Sequence, residues 1–326
     1  MRSPVHGGTD SLADPRYDFS SNANPVGPCP SVLAAVRRAD VTRYPDPSYQ
    51  RLRARLAAFH RTTPDRVAVG AGANELILRL IRCFDGAVHQ LAPTFSEYEH
   101  GARLAGRRLL SAASPTAFLR AQARRPGIGF VCWPNNPTGE LWPLSFVQAA
   151  ADVGRLVVDL AYAPLCNSND MASIEEAAAG AYRLYSPNKA FGLTGVRGAY
   201  VIAPRADPRI ANAAPSWVIG RDAVALLEAS ATEEARAWLT SAIPKFQRWR
   251  RRLVRTLREQ GLEVRESPAT FLMAKVGDAK RVSAGLRRRD IRVRDGTSFG
   301  LRQWIRLSAQ RPSAQKALLA ALARAL

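Results

Sequence analysis

Short apolar runs alternate with amphipathic stretches through the first two thirds of the chain, with glycine, proline and asparagine at the junctions. Residues 67–69, 88–92, 128–133, 155–160 and 199–203 form mostly apolar stretches too short for helices and bounded by turn residues, which predicts buried strands. Residues 30–40, 50–60 and 76–83 read as helices. After residue 204 the pattern changes to long helical stretches, 222–230 and 232–260, with Pro244 placed to kink the second. A smaller alternation follows: 262–265, 270–276, 280–289, 291–294 and 304–308, closed by an amphipathic helix at 313–326. Repeated strand–turn–helix units predict an α/β fold with a mostly parallel central sheet flanked by helices, and ligands at the carboxyl ends of its strands. The expected division is a large domain over residues 40–215 and a smaller α+β domain from residues 1–39 and 216–326.

Composition narrows the class. With 326 residues, 47% of them hydrophobic, and no apolar run approaching the ~18 residues of a membrane span, the chain reads as globular. The amino terminus has no apolar signal core, so the expected location is the cytoplasm, with no membrane partner. Cys29, Cys83, Cys132 and Cys166 are scattered, which predicts reduced thiols packed as small apolar groups. The four histidines are dispersed as well, and no metal site is expected. The formal charge of +20 is nearly all arginine, with lysine only at 189, 245, 275, 280 and 316. Its densest cluster, 248–258, fits a solvated helix face better than a nucleic-acid patch, although a non-enzymatic nucleic-acid-binding protein stays open as a remote alternative.

Several turns carry candidate chemistry. In Ser186-Pro187-Asn188-Lys189-Ala190-Phe191-Gly192-Leu193-Thr194-Gly195-Val196-Arg197-Gly198, one lysine precedes an arginine by eight residues in a glycine-punctuated loop. Such an arrangement suits an amine nucleophile beside an anion site, because the amine must be desolvated or lie near another cation to be neutral near pH 7. An ordinary loop with a surface lysine is the alternative. The turn from Gly70 to Glu75, between a strand and a helix, leaves first-turn N–H groups free to cradle an anion, but it is neither a Walker loop nor a GxGxxG fingerprint. Asp159 near the end of an apolar strand requires a cation or strong donors, and capping or metal ligation remain alternatives. Arg306 lies in a predicted strand, where it could equally form a surface pair. Residues 1–30, rich in Gly, Pro, Ser and Asn, are either a disordered arm or a functional loop.

These segments together resemble the fold type I pyridoxal-phosphate enzymes of the class I/II aminotransferase superfamily. The resemblance covers almost the whole chain, and Pro134-Asn135-Asn136-Pro137-Thr138-Gly139, about fifty residues before the lysine, is its most specific part. It implies that Lys189 carries pyridoxal 5'-phosphate and that Ser186, Arg197, Gly72, Ala73 and Asn74 hold the phosphate. Phe95 would stack on the ring, Asn136 and Tyr162 would donate to its phenolic oxygen, and Asp159 would pair with the ring nitrogen. Tyr44 would reach the phosphate of a second subunit, so a homodimer with shared active sites is implied. Arg306 would clamp a substrate carboxylate. His6-Gly7-Gly8 and the Asn22-to-Gly27 run are similar to the opening of the threonine-phosphate decarboxylases of cobalamin biosynthesis, in which this segment covers the active site; His6, Asn22 and Gly27 then become substrate-binding candidates. The implied activity is a lyase reaction, decarboxylation of L-threonine O-3-phosphate to (R)-1-amino-2-propanol O-2-phosphate. The alternative is an aminotransferase acting on a phosphorylated amino acid or amine such as histidinol phosphate. Pro187 and Asn188 depart from the residues commonly found before the lysine.

Overall fold

A computed structural model describes residues 5–326. Strand β1 (Tyr17–Asp18) and helices α1 (Pro30–Arg37) and α2 (Gln50–Phe59) precede the main alternation. That alternation runs β2 (Val67–Gly70), α3 (Ala73–Cys83), β3 (Ala87–Leu91), α4 (Glu97–Leu104), β4 (Leu109–Ala112), α5 (Pro115–Arg124), β5 (Gly127–Cys132), α6 (Leu144–Val153), β6 (Arg155–Asp159), α7 (Ser168–Ala177), β7 (Tyr182–Tyr185) and β8 (Ala199–Ile202). The seven strands form one sheet in the order β2-β8-β7-β6-β5-β3-β4. All neighbours from β7 to β4 are parallel, whereas β8 runs antiparallel to both β2 and β7. Strands β2, β3, β5 and β8 are buried along their whole length, which explains why β2, β5 and β8 read as apolar runs rather than alternations.

Two apolar layers cover this sheet. One packs Leu76, Ile77, Leu80 and Tyr98 against Val88, Phe130 and Val201. The other packs Leu52, Leu56, Phe118, Phe146 and Ile174 against Val131, Val158 and Tyr200. Successive strand residues point to opposite faces, so one short run of β5, Phe130-Val131, serves both layers.

Helices α8 (Pro208–Asn212), α9 (Arg221–Ser230) and α10 (Glu233–Glu259) follow, with Ile210 of α8 and Ala223 and Leu227 of α9 packed on the two layers of the sheet. Thr232 starts α10 by accepting the Ala235 N–H, and the helix continues through Pro244 at the loss of one ladder bond. Its exposed face carries Arg248, Arg251, Arg252, Arg255 and Arg258, while Phe246, Leu253 and Leu257 are buried. The chain then forms β9 (Val264–Glu266), β10 (Phe271–Lys275), α11 (Ala279–Arg287), β11 (Ile291–Arg292), β12 (Arg294–Asp295), β13 (Trp304–Ser308) and α12 (Pro312–Leu322). Strands β12-β13-β10-β9 make a second, antiparallel sheet.

The amino-terminal segment is an ordered part of the fold, which decides against the disordered arm for the described residues. Strand β1 pairs in parallel with β11, and Phe19 is buried in the core formed by α10, α11 and α12. Arg292 donates to the Gly8 carbonyl and Arg294 to the Val5 carbonyl, each at 2.7 Å. The sequence pattern did not announce β1, α4, β4, α5, α6, α7 or α8, and it placed the start of α3 three residues late. All four cysteines are free, with Cys29, Cys132 and Cys166 buried. Among the described residues no helix is long and apolar enough to cross a membrane.

Candidate active site

Strands β2, β3, β5, β6 and β7 all end at one edge of the sheet, and the turns that follow them bring the candidate residues together. At the end of β6, Asp159 is 2% exposed. Burial alone raises its pKa, opposed by the Lys189 ammonium, the Tyr98 hydroxyl and the Ala161 amide. Tyr98 donates to Asp159 Oδ2 at 2.8 Å and the Ala161 N–H to Oδ1 at 3.0 Å. A carboxylate buried with only neutral donors is poised to receive a cationic partner.

Lys189 follows β7 in a turn closed by backbone bonds from Phe191 to Pro187 and from Leu193 to Asn188. Its surface is only partly accessible, and the surrounding protein lowers the amine pKa by desolvation; Asp159 opposes that shift and Arg197 adds to it. The ammonium donates to Ser186 Oγ at 3.4 Å and lies 5.5 Å from the centre of the Tyr162 ring. Asn188 orders the loop, accepting from Ser186 Oγ and donating to the Val196 carbonyl at 3.2 Å. The departure at position 188 thus supplies an internal strut.

The turn after β2 has the expected cradle form. Gly72 caps α3 with φ +91°, and no side chain satisfies the first-turn N–H groups. A Cβ there would lie 2.4 Å from Arg197 Nη2, so only glycine leaves room for the arginine. Arg197 in turn donates to Asn74 Oδ1 at 3.0 Å, which assembles Ser186, Arg197 and the α3 N-terminus around one anion-sized place.

In the turn after β5 the two asparagines divide the work. Asn135 is structural: it accepts from Thr94 Oγ1 at 2.9 Å and donates to the Pro93 carbonyl and to Thr138, locking the β5 turn to the β3 turn. Asn136 accepts from Arg306 through its amide oxygen, which leaves its NH2 free as a donor. Arg306 comes from β13 and is buried, with Nη2 donating to the Ser20 carbonyl at 2.7 Å and Nε unpartnered. Arg294, on the neighbouring strand, has its pKa lowered to about 10 by burial and by Arg306.

Tyr162 packs edge-on against Phe271 with centroids 5.2 Å apart, and burial raises its pKa to about 12 while Arg306 and Asn22 oppose the rise. Both polar atoms of the Asn22 amide are buried without a well-formed hydrogen bond, beside that phenol. Orphaned amide atoms, a glycine-floored anion cradle and a buried carboxylate next to a depressed lysine together fit pyridoxal phosphate. The half-buried Phe95 contacts Tyr98 edge-on at 5.8 Å and lies 5.8 Å from the His6 ring. His6 bonds Glu97 at 2.6 Å, so the amino-terminal segment rests on this turn.

Two candidates lie apart from the cluster. Gly27 packs at the outer side of the lysine loop, its carbonyl next to Gly192. Tyr44 is 74% exposed; its ring lies 4.6 Å from Trp217 and its carbonyl accepts from Arg221, with no bond to the chain's own site.

Tyr98 joins the site although nothing in the sequence pattern marked it as a candidate. It is fully buried, stacked on Phe130 at 4.9 Å, and its hydroxyl meets Asp159 across 61 residues of sequence. Tyr98→Phe is expected to destabilise the fold by about 1–2 kcal/mol, the cost of withdrawing one donor from a buried carboxylate. It should also raise the Asp159 pKa further, because the lost bond is one of the groups that lower it. Denaturant unfolding at two pH values checks both; an unchanged midpoint would contradict the assignment.

Comparison with known proteins agrees with this geometry. The family model for aminotransferase class I and II matches residues 15–326. A histidinol-phosphate aminotransferase from Jannaschia sp. is 29% identical, over 95% of this chain and 91% of the relative. The crystal structure of histidinol-phosphate aminotransferase from Sinorhizobium meliloti in complex with pyridoxal-5'-phosphate superposes with a TM-score of 0.86 at 25% identity, covering 96% of this chain and 91% of that one. The L-threonine-O-3-phosphate decarboxylase structure from Porphyromonas gingivalis has a TM-score of 0.79 at 20% identity, covering 94% and 98%.

Proposed function

Because the chain belongs to the aminotransferase class I and II family and is a pyridoxal-phosphate enzyme of fold type I, we propose that it moves an amino group between a phosphorylated amino acid or amine, such as histidinol phosphate, and a 2-oxo acid. The observation that carries this reading is Arg306, buried and braced by Asn136 and Ser20. A fork held in this way retains a carboxylate or phosphate throughout the reaction, which suits amino transfer and opposes the loss of carbon dioxide. Relatives named as histidinol-phosphate aminotransferases support it across most of the chain. The decarboxylase expected from the His6-Gly7-Gly8 opening is supported by a likeness of fold alone.

In this reading, pyridoxal phosphate supplies an electron sink for the charge that develops at the substrate Cα. Lys189 Nζ would hold it covalently and would move the proton at the substrate Cα. Asp159 holds the ring nitrogen protonated, while the Asn136 NH2 and the Tyr162 hydroxyl donate to the phenolic oxygen. Ser186, Arg197 and the N–H groups at Gly72, Ala73 and Asn74 hold the phosphate, and Phe95 covers a ring face. Arg294 beside Arg306 adds a second guanidinium, which suits a dianionic substrate phosphate. His6 and Asn22 close the site from the amino-terminal segment, Gly27 shapes the lysine loop, and Tyr44, free of its own site, serves a second copy in a homodimer.

The test is a pair of assays on the cofactor-loaded protein. Glutamate should form from 2-oxoglutarate with histidinol phosphate as donor, and carbon dioxide should not be released from L-threonine O-3-phosphate. Catalytic carbon dioxide release without glutamate formation would replace amino transfer by decarboxylation.

A further inference from the structure

A cavity of about 710 Å3 lies between α2, α7 and α10 and is bounded by Ser186, Pro187, Ala190 and Phe191 of the lysine loop. Of the candidate site residues Ser186 borders it, whereas Lys189, Asp159, Asn136, Tyr162 and Arg306 do not line it, so it lies behind the lysine loop from the reacting groups. Its volume is in the range of small-molecule sites, about 300–1,000 Å3.

The inner wall is a fixed polar cluster. His60 bonds the Tyr200 hydroxyl at 2.8 Å through Nε2 and faces Glu175 at 3.4 Å through Nδ1. Tyr185 donates to the same carboxylate at 2.5 Å, and the Tyr185 and Tyr200 rings stack 5.0 Å apart. The one carboxylate on the wall is thereby engaged by its neighbours. Burial opposes its ionisation, but the His60 and Tyr185 bonds prevail and keep its pKa below the usual range.

Among the cations, Arg183 helps to hold the Glu175 pKa down without forming a salt bridge to it. Arg61, Arg183 and Arg236 line the same cavity, and among the described residues none has a carboxylate within salt-bridge distance. Arg183 Nε is buried without a hydrogen bond. Arg236 lies 5.7 Å over the Phe59 ring, at a wall continued by Met171, Leu239 and Ile243. Three guanidiniums against one ionised carboxylate leave an excess of positive charge beside flat apolar surface. We propose that this cavity binds a small organic anion with an aromatic body, its carboxylate or sulfonate held by Arg183 and Arg236 and its ring lying against Phe59 and the α10 side chains. Nothing in amino transfer requires such a site, so the proposal extends beyond the active-site chemistry.

The probe is 8-anilinonaphthalene-1-sulfonate, titrated by fluorescence into cofactor-loaded protein. The expected result is one saturable site per chain, with the uncharged N-phenyl-1-naphthylamine at least about tenfold weaker. Thr240→Trp, at an exposed α10 position that lines the cavity, should remove the site, and Arg236→Glu should weaken it about tenfold. Arg255→Glu, on the same helix but outside the cavity, should leave it unchanged, and matching thermal melts would establish that all three variants fold. Lack of a saturable site, equal binding by the neutral probe, or undiminished binding in Thr240→Trp would each overturn the proposal. None of these readouts depends on turnover, so they stand apart from a failure of the amino-transfer assay.

Discussion

Lys189→Ala should abolish covalent attachment of the cofactor and lower turnover by at least about 10^4-fold, since nucleophile and proton carrier are lost together. The expectation follows from the lysine's surroundings as well as from the motif. Lys189 is the only lysine in the sequence before position 245, and desolvation with Arg197 nearby draws its amine toward the neutral, nucleophilic form. Ser186 Oγ and the Tyr162 ring fix where that amine lies. Borohydride reduction followed by peptide mass analysis reads the attachment directly. The wild-type peptide containing residue 189 should carry the reduced cofactor, and no peptide of the variant should. Retention of the label elsewhere in the variant, or turnover within about tenfold of wild type, would sink the assignment.

Asp159→Asn should lower turnover by about 10^3-fold while leaving the cofactor attached, because the amide cannot hold a proton on the ring nitrogen and the electron sink is weakened. The contrast with Lys189→Ala is the informative part: one variant loses the label, the other keeps it and loses the rate. A second consequence appears in the cofactor-free protein. Burial raises the Asp159 pKa above the ordinary carboxylate value of 3.8, so the native state holds a proton that the unfolded chain releases. Stability should therefore fall as pH rises from about 3.8 through the raised native value. Asp159→Asn should flatten this slope, as measured by unfolding midpoints across that window. An identical slope would mean that the carboxylate is not poised as described.

The legible part of the site consisted of residues fixed by local chemistry. Gly72 was readable as part of a small-residue turn between a strand and a helix, and the turn after β5 because its residues serve each other within a few positions, whereas the room that Gly72 leaves for Arg197 is seen only in the fold. Asp159 stood out as a charge at the end of an apolar strand, a position that demands a partner. Tyr98 gave no such signal. An aromatic three residues after Phe95 reads as packing, and only the parallel placement of β3 beside β5 and of β5 beside β6 brings its hydroxyl to Asp159. Likewise Arg294 is one arginine among many in the sequence, and its pairing with Arg306 exists only because β12 and β13 are antiparallel neighbours. The edge strand β4 was missed for a different reason: three of its four residues retain exposure, which erased the apolar run that marks the inner strands.

What the sequence determined by itself was the α/β alternation and the strand-end turns with their candidate residues, because each depends on interactions within a few positions. The tertiary structure decided which distant residues meet: Tyr98 with Asp159, Arg306 with Asn136 and Ser20, the amino-terminal segment with β11, and the arginine-lined cavity behind the lysine loop. Such contacts depend on strand order and on how the helices pack over the sheet. Periodicity and motif spacing specify each element, whereas the burial of the assembled apolar faces selects their arrangement.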